Sequence, residues 1–419
     1  MSILLQQVSL AGGEVTDILI DGETISQIAP EITAEAETVI DGTGLYALPG
    51  MIDIHVHFRV PGAEYKEDWI TGSRAAIAGG VTTVHDMPNN SPAITTRKGL
   101  EEKIALIDKD ASVNYKCYIG ATLDNIEELV ASQDIAAGVK VYYGTSTGNL
   151  TMNDPAVLKQ IMERVKEVPI VIHSEDDSII EEKEEEYKDY TGIDIHAKVR
   201  PREAASSAMA TAIQLVRETG ATNVHITHMS TKEELDMLRE AKEEGLQITC
   251  DVTPHHLRFT DKDIDCQGHR LRVNPPIREQ ADVDALWNGL VDGSVDMIAS
   301  DHAPHTVEEK DGDDYWSIPS GIPGIEVQLR QALTRAVTSG DMSIERVVEV
   351  TAGAPAARFG YTDRGTVQEG MRADIVLVDL KASQEYAESE IQTKAAWSPW
   401  VGDKFSAQIQ SVIIGGEIR

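Results

Sequence analysis

The sequence predicts a (β/α)8 barrel of the TIM type with a small β-sandwich-like domain built from both chain ends. Two patterns carry this expectation. Between residues 48 and 363, eight short apolar runs alternate with segments of helical spacing, the signature of parallel strands wrapped by helices. Residues 1–47 and 364–419 instead break into short strand-like pieces punctuated by Gly and Asp, as hairpins are. A third observation locates the chemistry: polar side chains recur at the ends of the apolar runs, the face where α/β barrels keep their active sites.

The amino-terminal pieces are SILLQQVSL, DILIDG and ETISQIA, and the texture returns in GTVQEGMRADIVLVDL and QIQSVIIGGEIR. Short strands cannot bury an apolar face alone, so the two ends are expected to pair into one discontinuous domain. The runs between them are MIDIHVHF, GVTTVHDM, VNYKCYIG, GVKVYYG, PIVIHSE, NVHITHMS, QITCDVTPHH and VDMIASDH. Most are rich in Val and Ile with little alternation, which marks strands buried on both faces. Helical spacing covers residues 66–78, 96–109, 154–166, 202–219 and 231–244, among others. The longest stretch without either pattern is about 303–322; its Pro, Gly and acidic residues fit an active-site lid or a surface loop.

Of the 419 residues, 41% are hydrophobic and 26% charged, which fits an ordinary globular protein. No apolar stretch approaches the roughly 20 residues of a spanning helix, and the first residues lack the basic start of a signal peptide, so a cytoplasmic protein is expected. Cys117, Cys250 and Cys266 have no ligand-type spacing and read as reduced thiols in or near the core. Net charge is −33, from 70 acidic against 37 basic residues, which argues against nucleic-acid partners and anionic membranes. No Gly-rich segment has a nucleotide-binding context.

His55 and His57 lie two apart on one strand, so they share a face and can clamp one ion. Alone, such a pair is as often structural. His173, His228 and Asp301 occupy equivalent positions on later strands, and imidazole with carboxylate suits zinc or a similar ion with an open position for water. Lys140, inside GVKVYYG, has two readings: a buried ammonium paired with an acid, or a neutral amine that takes up carbon dioxide as a metal-bridging carbamate.

In order, PGMIDIHVHFRVPG, GGVTTVHDMPNN, GVKVYYG, IVIHSED, HITHMS, CDVTPHHL, RVNPPIR, IASDHAPH and PSGIPGIE resemble the dihydroorotases of the amidohydrolase superfamily, over nearly the whole chain. The resemblance implies two zinc ions per subunit: His55, His57 and Asp301 on one, His173 and His228 on the other, and carbamylated Lys140 between them. It also implies a bridging hydroxide that opens the ring of (S)-dihydroorotate to N-carbamoyl-L-aspartate, reversibly, as in pyrimidine biosynthesis, with Asp301 as proton shuttle. Arg59, Asn89 and His305 would hold the substrate carboxylate, with Asn274 a lesser contact. The bland alternatives are a barrel-mouth ion pair for Arg59 and turn roles for Asn89 and Asn274.

The rival readings are a hydantoinase or allantoinase type of cyclic amidohydrolase and a non-catalytic barrel scaffold. Arg59 separates the first, since a ring without an exocyclic carboxylate offers it no partner. His85, His196, His225, His255, His256, His269 and His302 read as structural or surface residues, and Glu175 as a neighbour of the ligands or a solvated acid. A homo-oligomer is compatible with all of this, and the sequence does not set the oligomeric state. Acidic runs at Glu181–Glu186 and Asp311–Asp314, with only 18 lysines, would suit a salt-rich cytoplasm. Self-repulsion at this charge is relieved by screening, so the melting temperature is expected to rise from low to molar KCl, as measured by differential scanning calorimetry.

Overall fold

The computed structural model describes residues 2–144 and 150–419. Five strands open the chain: β1 Ser2–Ser9, β2 Val15–Asp21, β3 Thr24–Ala29, β4 Thr38–Asp41 and β5 Tyr46–Pro49. The barrel follows with β6 Met51–Val56, β7 Val81–Asp86, β8 Asn114–Cys117, β9 Ile119–Gly120 and β10 Val139–Tyr143. It is completed by β11 Ile170–Ser174, β12 Val224–Ile226, β13 Ile248–Val252 and β14 Met297–Ile298. The carboxyl end adds β15 Ile375–Asp379, β16 Gln384–Glu385, β17 Lys404–Phe405, β18 Gln408–Ile414 and β19 Glu417–Ile418.

All eight apolar runs become parallel barrel strands, and every residue of β6, β7, β10 and β11 is buried, which explains their lack of alternation. The third run divides at Tyr118. Its amide donates to Asp86 O at 3.0 Å and its hydroxyl to Ile54 O at 2.9 Å. The chain therefore leaves β7 as β8 and joins β10 as β9.

The seam between the first and last strands is stitched beyond β14. His57 N donates to His302 O at 2.8 Å, and Ser300 N donates to Asp53 Oδ1 at 3.0 Å. Helix starts follow their caps. The segment expected from 66 begins at Trp69 because Asp68 accepts from the amides of Ile70 and Thr71. Thr231 and Glu234 form a capping box ahead of Lys232–Glu243.

The chain ends meet in one eight-stranded sheet, ordered β19-β18-β15-β5-β1-β2-β3 with β4 on β1. The antiparallel pair β5–β15 joins the two ends, and Ile3, Leu5, Ile18, Ile375 and Ile413 form its core. Residues 303–322 are docked rather than free. A short helix, Val307–Lys310, ends in the fully buried Lys310, whose Nζ donates to Arg272 O and Pro319 O. Among the described residues, no helix is long and apolar enough to cross a membrane.

Cys117 and Cys250 are buried as expected, but Cys266 is exposed. Its short helix, Ile264–Gln267, buries none of its residues, so the thiol has no core to enter. Burial pushes the Cys117 thiol up to about 12 and Cys250 well above its usual value. Thiolate is the reactive form, so a thiol reagent such as DTNB is expected to titrate Cys266 alone in the native protein. Cys117 and Cys250 should follow only in denaturant.

Candidate active site

The catalytic mouth is built from the carboxyl ends of the strands. His55 lies in β6 and His57 just beyond it; Lys140 lies in β10 and His173 in β11; His228 and Asp301 follow β12 and β14. One cavity is lined by His55, His57, Arg59, Asn89, Lys140, His173, His228, Asn274 and Asp301. His305 lines an adjoining cavity together with Arg59 and Asn89. All ten residues singled out in the sequence therefore converge on one region of the barrel mouth.

The backbone is strained where it delivers them. Arg59, His228 and Asp301 have φ of 65°, 43° and 44°, a left-handed conformation that non-glycine residues rarely adopt. Local bonds hold it: Asp251 Oδ1 accepts the His228 amide at 2.7 Å. At Gly144, φ is 118° and a Cβ would stand 2.1 Å from Glu175 O, so only glycine lets the ends of β10 and β11 approach this closely.

Asp301 Oδ1 lies 3.2 Å from His55 Nε2 and 3.1 Å from His57 Nε2, and all three side chains are buried. Burial, with the neighbouring Lys140 and Arg59 charges, holds both imidazoles far below their usual proton affinity, so they are neutral. Their other ring nitrogens are also engaged. His57 Nδ1 donates to Asn89 Oδ1 at 2.8 Å, and His55 Nδ1 shares a hydrogen bond with the Thr227 hydroxyl at 2.7 Å. The Nε2 atoms of both rings therefore converge on one buried carboxylate oxygen, an arrangement that a divalent cation can complete. The donor set fits a divalent metal.

The second half of the cluster is arranged alike. His173 Nε2 donates to Glu175 Oε2 at 3.0 Å, leaving Nδ1 as a lone pair 2.9 Å from His228 Nε2. His228 Nδ1 has no hydrogen-bond partner among the described residues. Burial works against the Glu175 carboxylate, yet Arg200, His173 and Arg278 keep it ionised below the usual range. Between the two halves, Lys140 Nζ is wholly buried with no hydrogen-bond partner among the described residues. Burial lowers its proton affinity and raises that of Asp301, each opposed by the other's charge.

At the rim, Arg59 Nε and Nη2 donate to Pro304 O at 3.2 and 3.1 Å. The Nη1–Nη2 edge, whose Nη2 also lies 3.2 Å from His305 Nε2, is the one not turned to Pro304 O and could take a bidentate carboxylate. Asn89 spends its carbonyl on His57, and Asn274 Oδ1 accepts from Ser320 Oγ at 3.0 Å.

Tyr142 was not anticipated. It lines the cavity two residues after Lys140, with its buried hydroxyl unpartnered among the described residues; the period of two along β10 would have pointed to it. Thr227, Asp251 and Asp53 were also missed. His196, His225, His256 and His302 are bonded elsewhere, to Tyr315 and Val273, Asp251 and Thr249, Thr253 and Pro275, and Glu67.

A barrel with buried imidazoles and a carboxylate gathered at its mouth is the class of site that can seat a catalytic metal. The chain belongs to the amidohydrolase family, whose sequence profile matches residues 46–419. It is 37% identical over 402 residues to a dihydroorotase of Halobacterium salinarum, covering 95% of this chain and 92% of that one. It is 35% identical over 425 residues to a dihydroorotase of Staphylococcus aureus, covering 98% and 97%. Among solved structures it resembles the L-hydantoinase (dihydropyrimidinase) of Arthrobacter aurescens, with a TM-score of 0.94, 28% identity and coverage of 99% and 95%. The dihydropyrimidinase of Brevibacillus agri matches with a TM-score of 0.91, 26% identity and coverage of 100% and 95%.

A buried amine without a hydrogen-bond partner among the described residues destabilises the fold whether neutral or charged. Lys140→Met, which keeps the aliphatic stem, is therefore expected to raise the melting temperature of metal-free protein in a thermal unfolding scan.

Proposed function

We propose that this chain is a zinc-dependent dihydroorotase, interconverting (S)-dihydroorotate and N-carbamoyl-L-aspartate in pyrimidine biosynthesis in the cytoplasm. The observation that carries the reading is the joining in one cavity of the His55, His57 and Asp301 cluster with Arg59. The first is a seat for a hydrolytic metal and the second a cation for a substrate carboxylate. Near-full-length identity to proteins named dihydroorotase supports it.

In this reading His55, His57 and Asp301 hold one ion, and His173 and His228 a second. Lys140, favoured in its neutral form by burial, adds its nitrogen lone pair to carbon dioxide and releases a proton. The resulting carbamate would be an anionic ligand for the metal. Zinc ions held by these residues would supply a Lewis acid and a water of lowered pKa.

The chain's own groups do the rest. Arg59 fixes the substrate carboxylate through its Nη1–Nη2 edge, with His305, the Asn89 amide and, more weakly, Asn274 beside it. Asp301, whose proton affinity is raised by burial, takes the proton of the attacking water and passes it to the ring nitrogen as the carbonyl carbon–nitrogen bond breaks. In reverse, the same carboxylate removes that proton as the ring closes.

A hydantoinase-type activity is the second reading, favoured by the backbone likeness to hydantoinases. Metal analysis with turnover assays on dihydroorotate, hydantoin and allantoin separates the two. Near two zinc per chain and turnover of dihydroorotate alone are expected; turnover of another ring would move the substrate, and neither metal nor turnover would favour a scaffold. Lys140→Ala should lose most activity, with partial rescue by a small carboxylic acid. Full activity and metal content in that variant would overturn the bridge.

A further inference from the structure

Lys66, in the loop after β6, lines the cavity that adjoins the metal cluster, together with Arg59 and His305. Its Nζ is 3.0 Å from His305 Nδ1 and 2.9 Å from Glu309 Oε1. We infer that Lys66 is a positioning residue: by donating to Nδ1, it fixes His305 in the tautomer whose proton is on Nε2, beside Arg59. The Nε2 proton, which Ser320 O accepts at 3.1 Å, would then be turned or shared toward the substrate carboxylate. The inference rests on the reading above, in which Arg59 and His305 hold that carboxylate.

The ring has four polar neighbours and two neutral states. With the proton on Nε2, Lys66 donates to Nδ1 at 3.0 Å and Nε2 donates to Ser320 O at 3.1 Å. With the proton on Nδ1, that nitrogen faces Glu309 Oε2 at 3.4 Å, and Nε2 accepts from Arg59 Nη2 at 3.2 Å. Each state sets an N–H against a cation, the first against Arg59 Nη2 at 3.2 Å and the second against Lys66 Nζ at 3.0 Å; the first has the shorter contacts and the wider of these two separations. A doubly protonated ring would stand between two cations, Arg59 and Lys66.

The choice of tautomer matters because the Nε2 edge lies against Arg59. With a proton there, it is a donor to a carboxylate seated on the guanidinium; without one, it presents a lone pair to an oxygen anion. Lys66 is itself held in place. Glu309 binds it while accepting from Tyr65 Oη at 3.0 Å and from the Thr306 amide at 3.2 Å. Trp397 Nε1 donates to His305 O at 2.8 Å and anchors the main chain under the ring.

Without Lys66, the nearest group to Nδ1 is the Glu309 carboxylate, which draws the proton across. Carbon and nitrogen NMR of the zinc-loaded, histidine-labelled enzyme reads this directly, with the His305 signal assigned by its loss in His305→Ala. The Nε2-protonated form is expected in the wild type and in Lys66→Arg, and the Nδ1-protonated form in Lys66→Met. In the same variant, KM for dihydroorotate and carbamoyl aspartate should rise about tenfold with kcat much less affected, since a uniform binding interaction is lost. The rise should vanish when Lys66→Met is made in His305→Ala.

A wild-type Nδ1-protonated ring, or an unchanged tautomer in Lys66→Met, would overturn the inference. So would a changed tautomer with unchanged KM. Wild-type enzyme that turns over neither compound would overturn the functional reading instead, and the tautomer measurement would still decide for or against Lys66.

Discussion

Everything at the mouth of this barrel is organised by one electrostatic conflict: the Nε2 atoms of His55 and His57 both crowd the same oxygen of Asp301, out of water. His55 and His57 have no freedom to relieve it, because Thr227 and Asn89 hold their other nitrogens. A divalent cation bound by the three groups would complete the arrangement. The left-handed backbone at His228 and Asp301, and the unpartnered amine of Lys140, follow from the same demand. Each is a local cost, offset by the closed barrel around it.

The conflict sits on the seam of the barrel, which couples site to fold. His55 and His57 come from the first barrel strand, and Asp301 follows the last. Between those two strands closure relies on few bonds, among them His57 N to His302 O and Ser300 N to Asp53 Oδ1. Asp53 also accepts from Gln328 Nε2 at 2.7 Å, which ties the seam to the helix outside it. A cation bound by the three residues would cross-link the two ends of the barrel sheet, and its binding energy would add to the stability of the closed form.

The parts legible in the sequence were those with a period. Buried parallel strands show as unbroken Val and Ile runs, and a strand with alternating faces shows His55 and His57 as a pair. The same alternation would have exposed Tyr142 from Lys140. Contacts between distant segments left no such trace. Thr227 on His55, Asp251 under His228 and Arg200 beside Glu175 are fixed by how strands are ordered around the barrel. Cys266 was misplaced because composition reports the average burial of cysteine, and the short acidic helix around it buries nothing.

Backbone likeness and sequence likeness point to different substrates, and physics explains why. The barrel fixes where strand ends lie, so a TM-score of 0.94 to a hydantoinase reflects shared scaffolding. Ring choice lies in side chains at the rim, where a carboxylate needs a cation with an available bidentate edge. In Arg59, Pro304 O takes the Nε–Nη2 edge, and the Nη1–Nη2 edge is shared only with the His305 ring among the described residues. In a chain of net charge −33 this cation has to act locally: the surface field repels an anion at long range, yet decays over about 10 Å at 0.1 M salt. Inside the mouth, buried Arg59 and neighbouring Lys66 are screened much less than the surface acids, so in the proposed function they would attract the substrate carboxylate once it is within the cavity. Discrimination between rings would then be made at contact distance, by the direction of a few N–H bonds.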